Sequence, residues 1–347
     1  MPRWSLEHEA EQGPLRAIFG MRWRLAALGI SVLVGLLIVI ACLQYLRGRP
    51  ENLVFKAPDH HLTGLKSVYD PVLGWRNLPN YQGATRGRKL TLNSRGMRGR
   101  EYDFAKPAAT RRVLVLGDSY VWGYGVGDDE VFTEVLERRL QETGSPWEVI
   151  NTGVPGWGTD QELLFLVEEG FKYQPDVVVL ALFLGNDPEN ILYSKQYGLD
   201  KPVFLDTSLT PANSPVPTPR QQQPMLRTRA GGLNLMASIL AKMALSCQER
   251  RCRLVVMKFG LFLREFREKE IMDFDVRLQL RARETPNLLF LDLDDAFRRR
   301  QLTQEQLLEG NYDGHWNALG HREVADVLQE VLGGAGLLGG KSPPAAR

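Results

Sequence analysis

Five residues, spread over two hundred positions, have the chemistry needed for attack on a carbonyl carbon. Ser119 can act as a nucleophile if a base accepts its proton, and His315 is a candidate for that base. Asp313 is close enough in sequence to orient the imidazole ring and to stabilise its protonated form. Gly156 offers an unobstructed backbone N–H, and Asn186 offers a side-chain amide, to a developing oxyanion. Together these residues predict nucleophilic catalysis by a serine.

A repeating pattern of strands and helices must position these residues. Ser119 follows an apolar run without polar alternation, which is typical of a strand buried on both faces. Gly156 and Asn186 follow further runs, and amphipathic stretches separate the runs. Because this alternation gives parallel strands whose carboxyl ends share one edge of a sheet, we expect the site at that edge. The predicted strands are residues 112–116, 147–150, 176–184, 254–257 and 288–291.

Local signals predict how some of these elements begin and end. Residues 159–162, Thr-Asp-Gln-Glu, have the form of a capping box and predict a helix capped by Thr159. Asp187, next to Asn186, is expected to brace the turn after the third strand through backbone hydrogen bonds. His321 falls in the last helical pattern, where we expect it to pack or to lie at the surface.

The four polar stretches resemble, in type and order, the four sequence blocks of the SGNH (GDSL) hydrolase family. They are residues 117–119 (Gly-Asp-Ser), Gly156 in its Asn-x-Gly-x-x-Gly setting, residues 185–187 (Gly-Asn-Asp) and the Asp/His pair before the last helix. The resemblance covers roughly residues 111–335. It implies a three-layer α/β/α sandwich with a five-stranded parallel sheet, and a serine hydrolase acting on ester bonds. It implies no metal and no organic cofactor.

The last block departs from the family in its spacing. The family has Asp-x-x-His, whereas this chain has Asp313-Gly314-His315, so that Tyr312 stands at the usual acid position. A tyrosine with a reference pKa of about 10 is not anionic near neutral pH. Residues 313–317 are also similar to a segment of alginate-type O-acetyltransferases of the same superfamily, although those carry the segment ahead of the serine. Hydrolysis and acyl transfer to a hydroxyl group therefore both stay open.

An uncharged stretch near the N-terminus predicts a transmembrane anchor. Residues 25–46 contain no charged side chain and are bracketed by arginines. At about 1.5 Å per residue they span roughly 33 Å, enough to cross the hydrocarbon core of a bilayer. Residues 39–42, Val-Ile-Ala-Cys, also resemble a lipobox that would make Cys42 a lipidated first residue. We favour an uncleaved single-pass anchor, with the catalytic domain on the extracytoplasmic (periplasmic) side.

The charge composition limits the possible partners, and two cysteines allow a disulfide. The chain has 43 Lys and Arg and 41 Asp and Glu residues, and its basic residues are dispersed, which excludes a nucleic-acid-binding module. Cys247 and Cys252 flank a short polar link, and they are expected to pair if the domain is exported to an oxidising compartment. Two unrelated buried thiols are the alternative.

The sequence thus predicts a membrane-anchored serine esterase acting on an acyl ester, O-acetyl above all, of an envelope glycan or lipid. The alternatives are an O-acyltransferase onto an envelope glycan and a non-catalytic polymer-binding or assembly protein on the same fold. We divide the chain into an N-terminal tail (1–24), the anchor (25–46), a β- and turn-rich juxtamembrane extension (47–110), the catalytic domain (111–335) with a Pro/Gln-rich insertion (193–229), and a flexible tail (336–347).

Overall fold

The computed structural model describes most of the chain after residue 66. The described residues are 28–40 without 30, 33, 37 and 39; 61–62; 66–216; 228–260; 273–280 without 275; 285; 287–309; and 314–338. The chain divides into two compact units, Met1–Val54 and Phe55–Arg347. In the first unit the described positions are helical, and their large apolar side chains are exposed, Leu28 by 62%. These positions lie within the predicted anchor, and the rest of residues 25–46 lies outside the described residues.

A five-stranded parallel sheet forms the centre of the second unit. Each apolar run predicted as a strand is one, and its ends lie within two residues of the predicted ones. The strands are β6 (Arg111–Leu116), β7 (Trp147–Asn151), β8 (Val177–Phe183), β13 (Arg253–Phe259) and β14 (Leu288–Asp292). Their spatial order is β14–β13–β8–β6–β7, and every neighbouring pair is parallel.

Helices cover both faces of this sheet and complete a three-layer α/β/α sandwich. On β6, Leu114 and Leu116 belong to one apolar core, and Val113 and Val115 belong to the other. Since successive side chains of a strand point to opposite faces, both faces of β6 are buried, which explains its unbroken apolar sequence. The helices are α1 (Ser119–Trp122), α2 (Phe132–Glu142), α3 (Thr159–Glu168), α4 (Asp187–Asn190), α5 (Arg229–Glu249), α6 (Leu293–Arg299), α7 (Gln304–Leu307) and α8 (Ala318–Gly334).

The capping box predicted at the start of α3 is wrong by one residue. The N-cap of α3 is Gly158 in an extended conformation, and Thr159 is the first helical residue. Gln161 Oε1 accepts a hydrogen bond from Gly158 N–H at 3.3 Å, so that the side chain three residues after the true N-cap closes the box. Glu162, which the prediction used for this purpose, is instead fully buried.

The segment before the sheet and the insertion both form short antiparallel strands. The strands before the sheet are β1 (His61–Leu62), β2 (Ser67–Asp70), β3 (Gly74–Asn77), β4 (Gln82–Thr85) and β5 (Arg88–Thr91). In the insertion, β9 (Lys195–Gln196) pairs with β10 (Leu199–Asp200), and β11 (Val203–Phe204) pairs with β12 (Pro211–Ala212). Val216 N–H donates to Pro71 O at 2.8 Å, so the two regions touch. The described part of the insertion is therefore packed against the domain, and residues 217–227 lie outside the described residues.

One helix among the described residues is long and apolar enough to cross a membrane. It is Ala230–Glu249, and most of its length is buried inside the protein. Its side chains Leu233, Met236, Ile239 and Met243 belong to the core on one face of the sheet. Within this domain the helix packs as a core element.

Candidate active site

The turn after β6 places Ser119 at the carboxyl edge of the sheet. A Cβ atom at Gly117 would lie 2.3 Å from Val121 Cγ2, so that only glycine lets α1 start this close to the strand. Asp118 is the N-cap of α1, and its Oδ1 accepts from Tyr120 N–H at 3.0 Å. At the other end of α1, the buried Arg98 guanidinium donates to the carbonyl groups of Trp122 and Gly123 at 2.7 and 2.6 Å. Ser119 therefore lies on one helical turn that is held at both ends.

Ser119 and His315, 196 positions apart, meet at this edge. The Ser119 Oγ lies 2.7 Å from His315 Nε2, and both side chains are half-buried. Burial lowers the pKa of His315 below its usual value of 6.5; the Asp118 carboxylate opposes this shift, and Arg86 adds to it. His315 is thus neutral near neutral pH, and an unprotonated Nε2 can accept a hydrogen bond from the Ser119 hydroxyl. This is the contact that a serine nucleophile and its base require.

The loop that carries His315 is fixed by contacts on both sides. The Tyr120 hydroxyl donates to Gly314 O at 2.6 Å, and Glu309 N–H donates to His315 O at 2.8 Å. The imidazole ring lies 4.9 Å, centroid to centroid, from the rings of Tyr120 and Tyr124. Asp313 and Tyr312 lie outside the described residues, and the orienting role of Asp313 stays a prediction.

Gly156 lies in a turn after β7. Trp157 N–H donates to Val154 O at 3.1 Å, Pro155 occupies the second position, and Gly156 has φ +79°, which are the features of a type II turn. A Cβ atom at Gly156 would lie 2.6 Å from the Tyr197 ring, so both the backbone conformation and the close contact require glycine. Among the residues that the structure describes, the Gly156 N–H has no hydrogen-bond partner, and it is free to bind a substrate oxygen.

Asn186 follows β8 and contacts a residue that the sequence analysis did not select. Its Nδ2 donates to Asp118 Oδ2 at 3.0 Å, which leaves the second amide hydrogen for a ligand. The neighbouring Asp187 accepts from Phe183 N–H at 2.7 Å, so it braces the turn as predicted. Asp118 therefore links α1 to the Asn186 amide. The only sequence signal for this role is that aspartate favours the N-cap position before a helix.

Several buried ionisable side chains lie near the turn that follows β8. Lys201 Nζ is 2.5 Å from Asp160 Oδ2, and both side chains are fully buried. Glu162 and Asp187 have pKa values well above their usual range, because burial penalises the charged form and neighbouring carboxylates repel it. Neither Glu162 carboxyl oxygen has a hydrogen-bond partner among the described atoms. In the part of the chain that the structure describes, no group of three or more His, Cys, Asp or Glu side chains could hold a metal ion.

The α/β/α fold and a serine in contact with a histidine at the sheet edge define a class of serine hydrolases. The family model of the GDSL-like lipase/acylhydrolase family matches residues 115–323, more than half of the chain. The chain belongs to this family and is an ester-hydrolysing enzyme. No curated protein matches it in sequence.

Solved structures of esterases are similar to this chain. A lipase/acylhydrolase from Enterococcus faecalis is 19% identical, with 65% of this chain and 96% of that chain covered and a TM-score of 0.42. A variant of an acetyl xylan esterase from Geobacillus stearothermophilus is 16% identical, with 64% and 94% covered and a TM-score of 0.44. A two-domain esterase active on acetylated mannans is 11% identical, with 69% and 52% covered and a TM-score of 0.42.

Proposed function

We propose that the protein is a membrane-anchored serine esterase that removes short acyl groups, acetyl above all, from a glycan or lipid of the cell envelope. The observation that carries this proposal is the 2.7 Å contact between Ser119 Oγ and His315 Nε2. Ser119 attacks the ester carbonyl, and His315 takes the proton and returns it to the leaving alcohol. Gly156 N–H and Asn186 Nδ2 bind the oxyanion, and Asp313 orients His315.

A small aromatic cavity beside the site supports a short acyl group. The cavity has a volume of about 20 Å³, and two of its lining residues, Tyr120 and Gly314, are the chain neighbours of Ser119 and His315. On this scale a single water molecule needs ~10–15 Å³, so the cavity has room for one group the size of a methyl. If the acyl tail enters this cavity, the methyl group of an acetyl ester fits it and a longer acyl chain does not. The aromatic lining residues are Tyr120, Phe183, Phe259, Phe297 and Trp316.

The envelope location rests on the anchor. Residues 25–46 are long enough to span a bilayer, and the described side chains between 28 and 40 expose their apolar surfaces. We place the catalytic domain on the extracytoplasmic side of that membrane. A substrate in the periplasm would be an acylated glycan, peptidoglycan or lipid.

The test is a kinetic comparison of the full chain, purified in detergent, with its variants. We expect kcat/KM on p-nitrophenyl esters to fall from acetyl to butyryl to octanoyl. Ser119→Ala and His315→Ala should each lose at least ~10³-fold, and Asp313→Asn ~10²–10⁴-fold. Ser119→Ala activity close to that of the wild type would refute the serine mechanism, and a preference for octanoyl would refute the acetyl assignment. Acetylation of an added glycan in place of hydrolysis would identify an acyltransferase.

A further inference from the structure

Strand β3 contacts the Gly156 turn from outside the part of the chain that the family model matches. Trp75 lies on this strand and is 1% exposed, and its indole Nε1–H donates to Pro155 O at 3.1 Å. Two residues later, Asn77 Nδ2 donates to Gly153 O at 2.8 Å. One strand of the extension therefore hydrogen-bonds two carbonyl groups of the loop that carries the proposed oxyanion donor.

The Trp75 indole donates to the carbonyl group of the peptide unit that also contains the Gly156 N–H. A peptide unit is planar and trans, so that the C=O of Pro155 and the N–H of Gly156 point in opposite directions. Type I and type II turns differ mainly by a rotation of this central peptide. Holding Pro155 O therefore fixes the direction of the Gly156 N–H, and releasing it would allow the peptide to rotate.

We propose that Trp75 is a positioning residue for ester hydrolysis, whose indole N–H holds the Pro155–Gly156 peptide so that the Gly156 N–H faces the oxyanion. This inference rests on the proposed function, because it takes the Gly156 N–H as an oxyanion donor. Among the described residues, the Trp75 indole donates to Pro155 O and not to Ser119 or His315. It makes the extension a part of the active site.

Trp75 makes two further contacts with this turn. Trp157 Nε1–H donates back to Trp75 O at 2.9 Å, so the strand and the turn exchange two hydrogen bonds. The Trp75 ring also lies beside Gly156, where a Cβ atom would be 3.6 Å from Trp75 Cζ2 and 2.6 Å from the Tyr197 ring. Because a buried N–H without a partner is costly, the indole stabilises the observed peptide orientation over the rotated one.

Two single substitutions at the contact between β3 and the Gly156 turn distinguish a positioning role of the Trp75 N–H from a packing role of its ring. Trp75→Phe keeps an aromatic ring and removes the donor to Pro155 O. Trp157→Phe is the matched control, since it removes the donor to Trp75 O between the same two elements and leaves the Pro155–Gly156 peptide bonded. On one acetyl ester we expect Trp75→Phe to lower kcat by about 10- to 100-fold with KM within about 3-fold, because oxyanion donors act in the transition state. Trp157→Phe should keep kcat within about 3-fold.

A boronic acid that adds to the nucleophilic serine gives a second readout. Its adduct is tetrahedral and resembles the transition state, so Trp75→Phe should weaken binding by a factor similar to its loss of kcat, and Trp157→Phe should not. If Trp75→Phe fails to fold, β-(3-benzothienyl)alanine at position 75 keeps the bicyclic shape and removes only the N–H. Equal effects at positions 75 and 157 in an active enzyme would overturn the inference. Absence of Ser119-dependent turnover in the wild type would instead overturn the proposed function.

Discussion

Replacing Asp118 by asparagine tests the link between the nucleophile helix and the Asn186 amide. The carboxylate accepts two hydrogen bonds, from Tyr120 N–H at Oδ1 and from Asn186 Nδ2 at Oδ2, both at 3.0 Å. In Asp118→Asn one of these oxygens becomes an NH₂ group, which cannot accept. Because the cap to Tyr120 N–H needs an acceptor, we expect the new amide to keep its oxygen there and to present its NH₂ group to Asn186.

The loss can be estimated from the bond that disappears. A hydrogen bond to a charged group contributes about 1.5–3 kcal/mol, and the two amides then face each other as donors. Asn186 must rotate away, and removing one oxyanion donor costs about 10²–10³-fold in kcat. We therefore expect Asp118→Asn to lower kcat by about 10²-fold, with a smaller change in KM.

The pH profile of the same variant provides a readout that loss of stability would not move. The negative charge of Asp118 raises the pKa of His315 against the larger lowering by burial. Without that charge the pKa of His315 falls further. Since the base must be neutral, the acid limb of kcat/KM should move to lower pH in Asp118→Asn. A kcat within threefold of the wild type, or an acid limb that moves to higher pH, would refute this account of Asp118.

Two buried groups predict opposite dependences of stability on pH. Burial lowers the pKa of His321 to about 3, against about 6.5 in an unfolded chain. Below pH 6.5 the unfolded state therefore binds more protons than the native state, and the free energy of unfolding decreases as the pH is lowered. At pH 5 this lowers the free energy of unfolding by about 2 kcal/mol (1.5 pH units at about 1.36 kcal/mol each). In urea unfolding, the free energy of unfolding of His321→Asn should therefore decrease less between pH 7.5 and pH 5 than that of the wild type, by the same amount. Burial raises the pKa of Glu162, so the native state is destabilised once the pH exceeds the pKa of this side chain in the unfolded chain. The melting temperature of Glu162→Gln should therefore rise relative to that of the wild type as the pH is increased from 5 to 8. Equal pH responses of variant and wild type would contradict either prediction.

The sequence predicted the sheet well because burial on both faces leaves a direct mark on it. The run around Leu114 is unbroken since alternate side chains enter different cores. The sequence also predicted that Ser119 and His315 would meet, because Ser119 follows a parallel strand and the stretch with His315 precedes the last helix, so that both can reach one edge of the sheet. The 2.7 Å contact between them is consistent with this.

Features that depend on local geometry or on distant partners were harder to predict. The predicted capping box was one residue late because the turn ending at Trp157 makes Gly158 the N-cap, and glycine offers no side-chain signal for that position. The hydrogen bond between the extension and the Gly156 turn joins Trp75 to a residue 80 positions away, and no pattern near Trp75 predicts such a pair. Both features depend on contacts that exist only after the chain has folded.

The cysteines illustrate a prediction that geometry leaves open. In the structure Cys247 and Cys252 are buried thiols, and Cys252 Sγ lies 3.5 Å from Cys247 O. A hydrogen bond with the Cys252 thiol, together with burial, raises the pKa of Cys247. The two side chains are therefore neighbours, and pairing in an oxidising compartment stays a prediction.

The central claim is that Ser119 is the residue that becomes acylated. The most direct measurement is to label the full chain with a fluorophosphonate probe and to locate the adduct by peptide mass mapping. We predict a single adduct on Ser119, and its formation should be strongly slowed in His315→Ala because the base no longer takes the hydroxyl proton. An adduct on another residue, or unchanged ester turnover in protein whose Ser119 is fully labelled, would contradict the account.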